Sequence, residues 1–191
     1  MRSNDHHRHS SSPVPERITI ADEDGRSLDC YVEQAFEFAI GTYWLLRPVD
    51  APISILAWDE EDPDAGAIML ENDSEIDRVF ADARAVLAEQ NLRLQRTAYT
   101  ATAVGELPDA EDCEVLTLEL EEAEENALEP EDFQLLASFY HEEESYGIYT
   151  PLTPMLFLAQ PGEGDIKLLS LEEFRQVQPL LEEWLFEEDE D

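Results

Sequence analysis

Apolar and polar positions along this chain alternate in two periods, and the order of the periods repeats. From Ile18 the spacing is that of short strands. Ile18, Ile20 and Ala21 lead into Asp22-Glu23-Asp24-Gly25, a hairpin turn with glycine where φ must be positive. The pattern then predicts strands over Leu28 to Phe38, Tyr43 to Arg47, Ile53 to Trp58 and Ala67 to Leu70, with the acidic turn Asp59 to Gly66 before the last. The period next changes to 3.6. Ile76, Val79, Phe80, Ala83, Val86 and Leu87 share one helical face, behind a capping box read at Ser74-Glu75-Ile76-Asp77.

The plan then recurs. Strands are expected from Arg93 to Leu107 and from Glu114 to Leu120, followed by an acidic loop from Glu121 to Asp132. Phe133 to Tyr140 and Tyr146 to Thr150 make a hairpin pair, and Met155 to Ala159 and Ile166 to Leu169 follow as strands. A second capping box, Ser170-Leu171-Glu172-Glu173, opens a helix with Leu171, Phe174, Val177, Leu181 and Leu185 on one face, and Pro179 is expected to break or kink it.

The two stretches also match residue by residue. Tyr43-Trp44-Leu45-Leu46-Arg47-Pro48 followed by Pro52 to Ala57 parallels Tyr146-Gly147-Ile148-Tyr149-Thr150-Pro151 followed by Pro154 to Ala159. Pro48 and Pro151 give an offset of 103, with a one-residue gap after them. The expected fold is α+β: two tandem, related antiparallel β-sheet units, each with a C-terminal helix. The divisions are a disordered tail over 1–16, a first unit over 17–92, a second over 93–186 and an acidic tail over 187–191.

Charge changes what such units are expected to meet. The chain has 47 Asp and Glu against 11 Lys and Arg, a formal net charge of −36. Residues 98–191 hold 27 of the acids and only Lys167 and Arg175 as bases. That field repels phosphate backbones and anionic lipid, which argues against direct nucleic-acid binding. It favours a basic protein surface and allows weak binding of divalent cations. No apolar run reaches the ~20 residues that span a bilayer, and no secretory leader is read at the N-terminus, so a reducing cytoplasm is expected. Cys30 and Cys113 have no metal-ligand spacing and read as small hydrophobes.

Several stretches resemble an uncharacterised family. They are Glu89-Gln90-Asn91-Leu92, Leu107-Pro108, Leu136-Ala137-Ser138-Phe139-Tyr140-His141-Glu142-Glu143 and Val177-Gln178-Pro179-Leu180-Leu181-Glu182-Glu183. The family is domain-of-unknown-function family 3727, with an N-terminal half like family 1292 carried by Ile18-Thr19-Ile20, Asp22-Glu23-Asp24-Gly25, Tyr43 to Pro48 and Asp50. The resemblance covers about residues 17–186 and implies no catalytic site and no cofactor. It implies a setting, the cyanobacterial cytoplasm or the plastid stroma, and only through that setting a role in photosynthetic biogenesis.

Candidate chemistry is sparse. Glu60, Asp62, Asp64 and Glu71 fit part of a calcium-loop spacing, but Ala65 stands where the loop needs glycine. His141 beside Glu142, Glu143 and Glu144 lacks the second structured histidine that a zinc centre needs. No metal site or catalytic residue is assigned. The candidate interaction surface is aromatic with a charged rim: Tyr43, Trp44, Arg47, Asp50, Trp58, Tyr140, Tyr146, Tyr149 and Trp184. These features favour a non-enzymatic acidic adaptor or assembly factor for a basic protein. A nucleic-acid mimic competing for a DNA- or RNA-binding protein and an enzyme with an unrecognised acidic site are the alternatives.

Overall fold

Proline ends a strand because it cannot donate to the ladder, and here two prolines send the chain from one sheet to the other. The computed structural model describes residues 16–62, 66–118 and 131–188. The expected features at 1–15, Asp64, most of the acidic loop and 189–191 lie outside them. The elements are β1 Arg17–Ala21, β2 Ser27–Phe38, β3 Gly41–Pro48, β4 Ala51–Trp58, β5 Ala67–Met69, α1 Asp73–Ala88, β6 Arg93–Arg96, β7 Ala101–Val104, β8 Val115–Leu118, β9 Glu131–His141, β10 Glu144–Pro151, β11 Phe157–Pro161, β12 Ile166–Leu168 and α2 Leu171–Glu188. Two antiparallel sheets and two helices give the α+β class read from the pattern.

The sheets mix the two halves of the chain. One runs β1-β2-β3-β11-β12; the other runs β6-β7-β4-β10-β9-β8, with β5 also on β4. The first half therefore contributes β1–β3 to one sheet and β4–β5 with α1 to the other; the second contributes β6–β10 to that other sheet and β11–β12 with α2 to the first. After Pro48, β4 pairs with β10, not with its predecessor β3; after Pro151, β11 pairs with β3. The halves are exchanged within one chain, much as protomers are in domain swapping.

Register shows how faithful the duplication is. Gln34 pairs with Leu45 and Val32 with Leu46, leaving Glu33 as a bulge. At an offset of 103, Ala137 pairs with Ile148 and Leu135 with Tyr149, leaving Leu136 as the bulge. The offset persists into the next strand. Leu158 and Ala159 are buried in β11 as Ile55 and Leu56 are in β4, so the one-residue gap expected after the prolines is absent.

Each helix covers one face of one sheet. Val79, Ala83 and Leu87 of α1 pack with Ile55, Phe139, Tyr146 and Ile148. Val177 of α2, with Leu181 and Trp184 beside it, packs on Phe36, Tyr43 and Leu158. Side chains such as Val79 and Leu87, fully enclosed, contribute about 1.5–3 kcal/mol each. The start of α1 differs from the expected one. The α1 cap is Asn72, whose side chain accepts from the Ser74 N–H at 2.9 Å, two residues before the predicted box. Helix α2 runs on through Pro179 to Glu188. Its own box is as predicted: Ser170 Oγ accepts from the Glu173 N–H at 3.3 Å and Glu173 from the Ser170 N–H at 2.9 Å.

The other face of each sheet is apolar too. Ile20, Leu28, Cys30, Leu46 and Ala159 are buried on one; Leu56, Phe133 and Tyr149 on the other. Burial pushes the Cys30 thiol up to about 11, which suits a core side chain. Among the described residues no helix is long and apolar enough to cross a membrane.

Candidate interaction surface

Alternation along each strand puts most of the nine candidate residues in the cores rather than in one patch. Tyr43 and Tyr146 occupy equivalent positions under α2 and α1, and Tyr149 is buried on the opposite face of its sheet. Trp44, Trp58 and Trp184 are half-buried against three separate clusters; Trp184 meets Phe36 edge-on at 5.0 Å. Tyr140 is exposed, at 68%. Arg47 pairs with the bulge residue Glu33 and lies 5.3 Å from the Tyr31 ring. Asp50 lines a depression of about 370 Å³ between the two proline crossovers, where the Thr150 hydroxyl donates to the Pro52 carbonyl at 2.8 Å.

Tyr146 keeps a polar role inside its core. It stacks on Phe139 at 5.2 Å, and its hydroxyl donates to Glu144 at 2.5 Å and accepts from Arg78 at 3.2 Å. Burial first, then the Glu144 bond, raises its pKa. At the β9–β10 tip His141 Nδ1 lies 2.6 Å from Asp82. Glu142 and Glu143 there carry φ of 49° and 72°, left-handed geometry that ordinarily favours glycine or asparagine.

A cavity of about 350 Å³ was not apparent from the sequence, because it needs distant segments to converge. The β1–β2 turn, the start of α1 and the β6–β7 connection meet there over a floor that includes Ile53, Ile55 and Ile76. Arg26 and Arg96 reach Asp73 from two elements at 3.3 and 2.7 Å, and Arg96 is 3.5 Å from Asp77. Hydrogen bonds from Arg26 and then Arg96 hold the Asp73 carboxyl below its ordinary range. For Asp22 burial acts the other way, but hydrogen bonds from Arg26 outweigh it and the net shift is down. Tyr99 closes the side, its hydroxyl donating to the Ala21 carbonyl at 2.9 Å.

The Glu173 carboxyl is lowered to about 2 from an ordinary 4.5, through the Ser170 N–H first and Lys167 next. A depressed carboxylate stabilises the fold above its unfolded pKa, and that contribution is lost as pH falls through the folded value. The α2 cap is therefore expected to loosen between about pH 4.5 and 2. Protection of the Ser170 amide, its exchange relative to the intrinsic rate at each pH, should fall over that window. In Glu173→Gln, whose single amide oxygen can keep the Ser170 N–H bond without titrating, the step should vanish; its persistence would refute the assignment.

Among the described residues no group of three or more His, Cys, Asp or Glu is placed to hold a metal ion. Residues 91–188 match the family described as a protein of unknown function (DUF3727). Residues 23–88 match another described in the same words (DUF1292). The chain belongs to the DUF3727 family, and its N-terminal half is similar to DUF1292. No curated protein and no solved structure matches it.

Proposed function

We propose that this chain is a non-enzymatic acidic adaptor or assembly factor that binds a basic protein partner. The observation that supports the reading is how the few cations are used. Arg26 is held by Asp22, Asp24 and Asp73, Arg96 by Asp73 and Asp77, Arg17 by Asp29, Arg47 by Glu33, Arg78 by Glu144 and Lys167 by Glu173. With those cations each paired to a carboxylate of the chain itself, the excess behind the net −36 is left unbalanced. A field of that sign accelerates encounter with a cationic partner and rejects anionic ones.

The test is a pull-down with the full chain as bait, washed at two ionic strengths, followed by reconstitution with the purified candidate. A stoichiometric complex that forms from pure components and dissociates as salt rises is the expected result. Retention of nothing at low salt would overturn the reading. Displacement of nucleic acid from the retained protein would make the chain a mimic instead.

A further inference from the structure

The cavity under Arg26 and Arg96 has a counterpart in the other sheet. The 103-residue offset carries Ile53 and Ile55 onto Leu156 and Leu158. Strand register carries Met69 onto Leu168: Met69 pairs with Leu56, and Leu168 with Ala159. Leu70 N–H donates to Ile55 O, and Leu169 N–H to Leu158 O. Ile76 and Phe174 each stand three residues before a buried valine, Val79 and Val177. The second set lines an open apolar groove of about 280 Å³. The two sites are one site, duplicated.

They differ in their cover. In the first, β7 pairs Ala101–Ala103 with Ile53–Ala51, and the β6–β7 connection forms part of the lining. The equivalent stretch Pro154–Leu156 has no strand partner among the described residues. Ile53 is accordingly 5% exposed and Leu156 47%, while Phe174 is 38% exposed. The charges differ in the same sense. Asp73, in the first turn of α1, is bound by two arginines. The valine register places Leu171 at that position of α2, and the exposed Glu172 next to it has no ion pair with a described residue.

We propose that this groove receives an arginine-bearing β-hairpin of the basic partner, one strand running along Pro154–Leu156 and the other setting an arginine over Glu172. Strand addition of this kind draws affinity from the main chain and specificity from side chains in pockets. The internal precedent is the β6–β7 hairpin, whose β7 strand pairs with Ala51–Ile53 while Arg96 on β6 reaches Asp73 at 2.7 Å. A second copy of the chain would bring its own −36 and be repelled. The proposal rests on the acidic-adaptor reading and narrows it to one site.

The probe is a fluorescent synthetic peptide with the sequence of residues 93–104, titrated with the full chain and read by anisotropy. Saturable binding that weakens with salt is expected. Leu156→Asp should weaken it at least about tenfold by placing a carboxylate in the groove, and Glu172→Lys about threefold to tenfold. Ile68→Asp, at another exposed apolar position, should leave it unchanged. Unchanged thermal unfolding of the variants confirms that the fold is intact. Equal salt-sensitive binding to wild type and Leu156→Asp would overturn the groove while leaving the adaptor reading intact. No binding to wild type would also overturn the groove, and the pull-down would then decide the adaptor reading alone. A wild-type dimer in sedimentation that Leu156→Asp dissolves would assign the groove to self-association and overturn the proposal.

Discussion

Cut between Gln90 and Asn91, the chain should give two fragments that do not fold as monomers but restore the native protein when mixed. The cut falls in an exposed turn where Asn91 has φ of 62°, so it removes little packing. The first fragment keeps β1-β2-β3 and β4-β5 with α1, yet β3 loses β11 and β4 loses β10. Helix α1 loses Phe139, Tyr146 and Ile148, the floor it packs on. A hairpin or a short ribbon with one bare face is marginal in water. Circular dichroism should show no cooperative melt for either monomeric fragment, and a single transition for the equimolar mixture. A homodimer of one fragment would be consistent with the same exchange between copies. A cooperative, monomeric fold of residues 16–90 alone would contradict it.

The next largest effect is expected at Gly147. A Cβ there would lie 2.5 Å from Cε2 of Tyr149, whose ring crosses the glycine on the same face of β10. Tyr149 is 5% exposed and enclosed by Leu56 and Phe133, so the ring has little room to yield. Gly147→Ala should cost about 1–3 kcal/mol, the usual range for overpacking. The first half suggests the remedy. Its equivalent positions hold Trp44 and Leu46, a large residue followed by a smaller one two places on. Adding Tyr149→Leu should therefore recover part of the Gly147→Ala loss, giving a coupling in a double-mutant cycle. Additive losses in urea denaturation would show that the clash is not with the Tyr149 ring.

Much of this architecture was legible in the chain. Tyr43 to Pro48 and Tyr146 to Pro151 disclosed the duplication, and the face from Ile76 to Leu87 disclosed α1 because helical periodicity is local. Ser170 and Glu173 fixed the start of α2 for the same reason. Partner choice was not legible. Ile55 and Leu56 show that β4 is buried on both faces, but nothing in that pattern says whether β3 or β10 lies beside it, and only three-dimensional closure selects β10. The aromatic surface was hard to judge for a related reason: Tyr43 and Tyr146 look alike whether they face a partner or a helix. Arg26, Asp73 and Arg96 lie in a turn, a helix and a strand far apart along the chain and carry no common spacing, so their convergence left no signal in the sequence.

The crossovers after Pro48 and Pro151 also govern how the molecule bears force. In a tandem protein whose units fold separately, tension on the two ends opens one unit and then the other. Here β1, near one end, and α2, at the other, belong to the same layer, and the strands between them are shared. Pulling on α2 strips β11 from β3, and with that the first half loses its neighbour as well. The protein gives way as one mechanical element, with no stable half-open state in which a single unit is left standing.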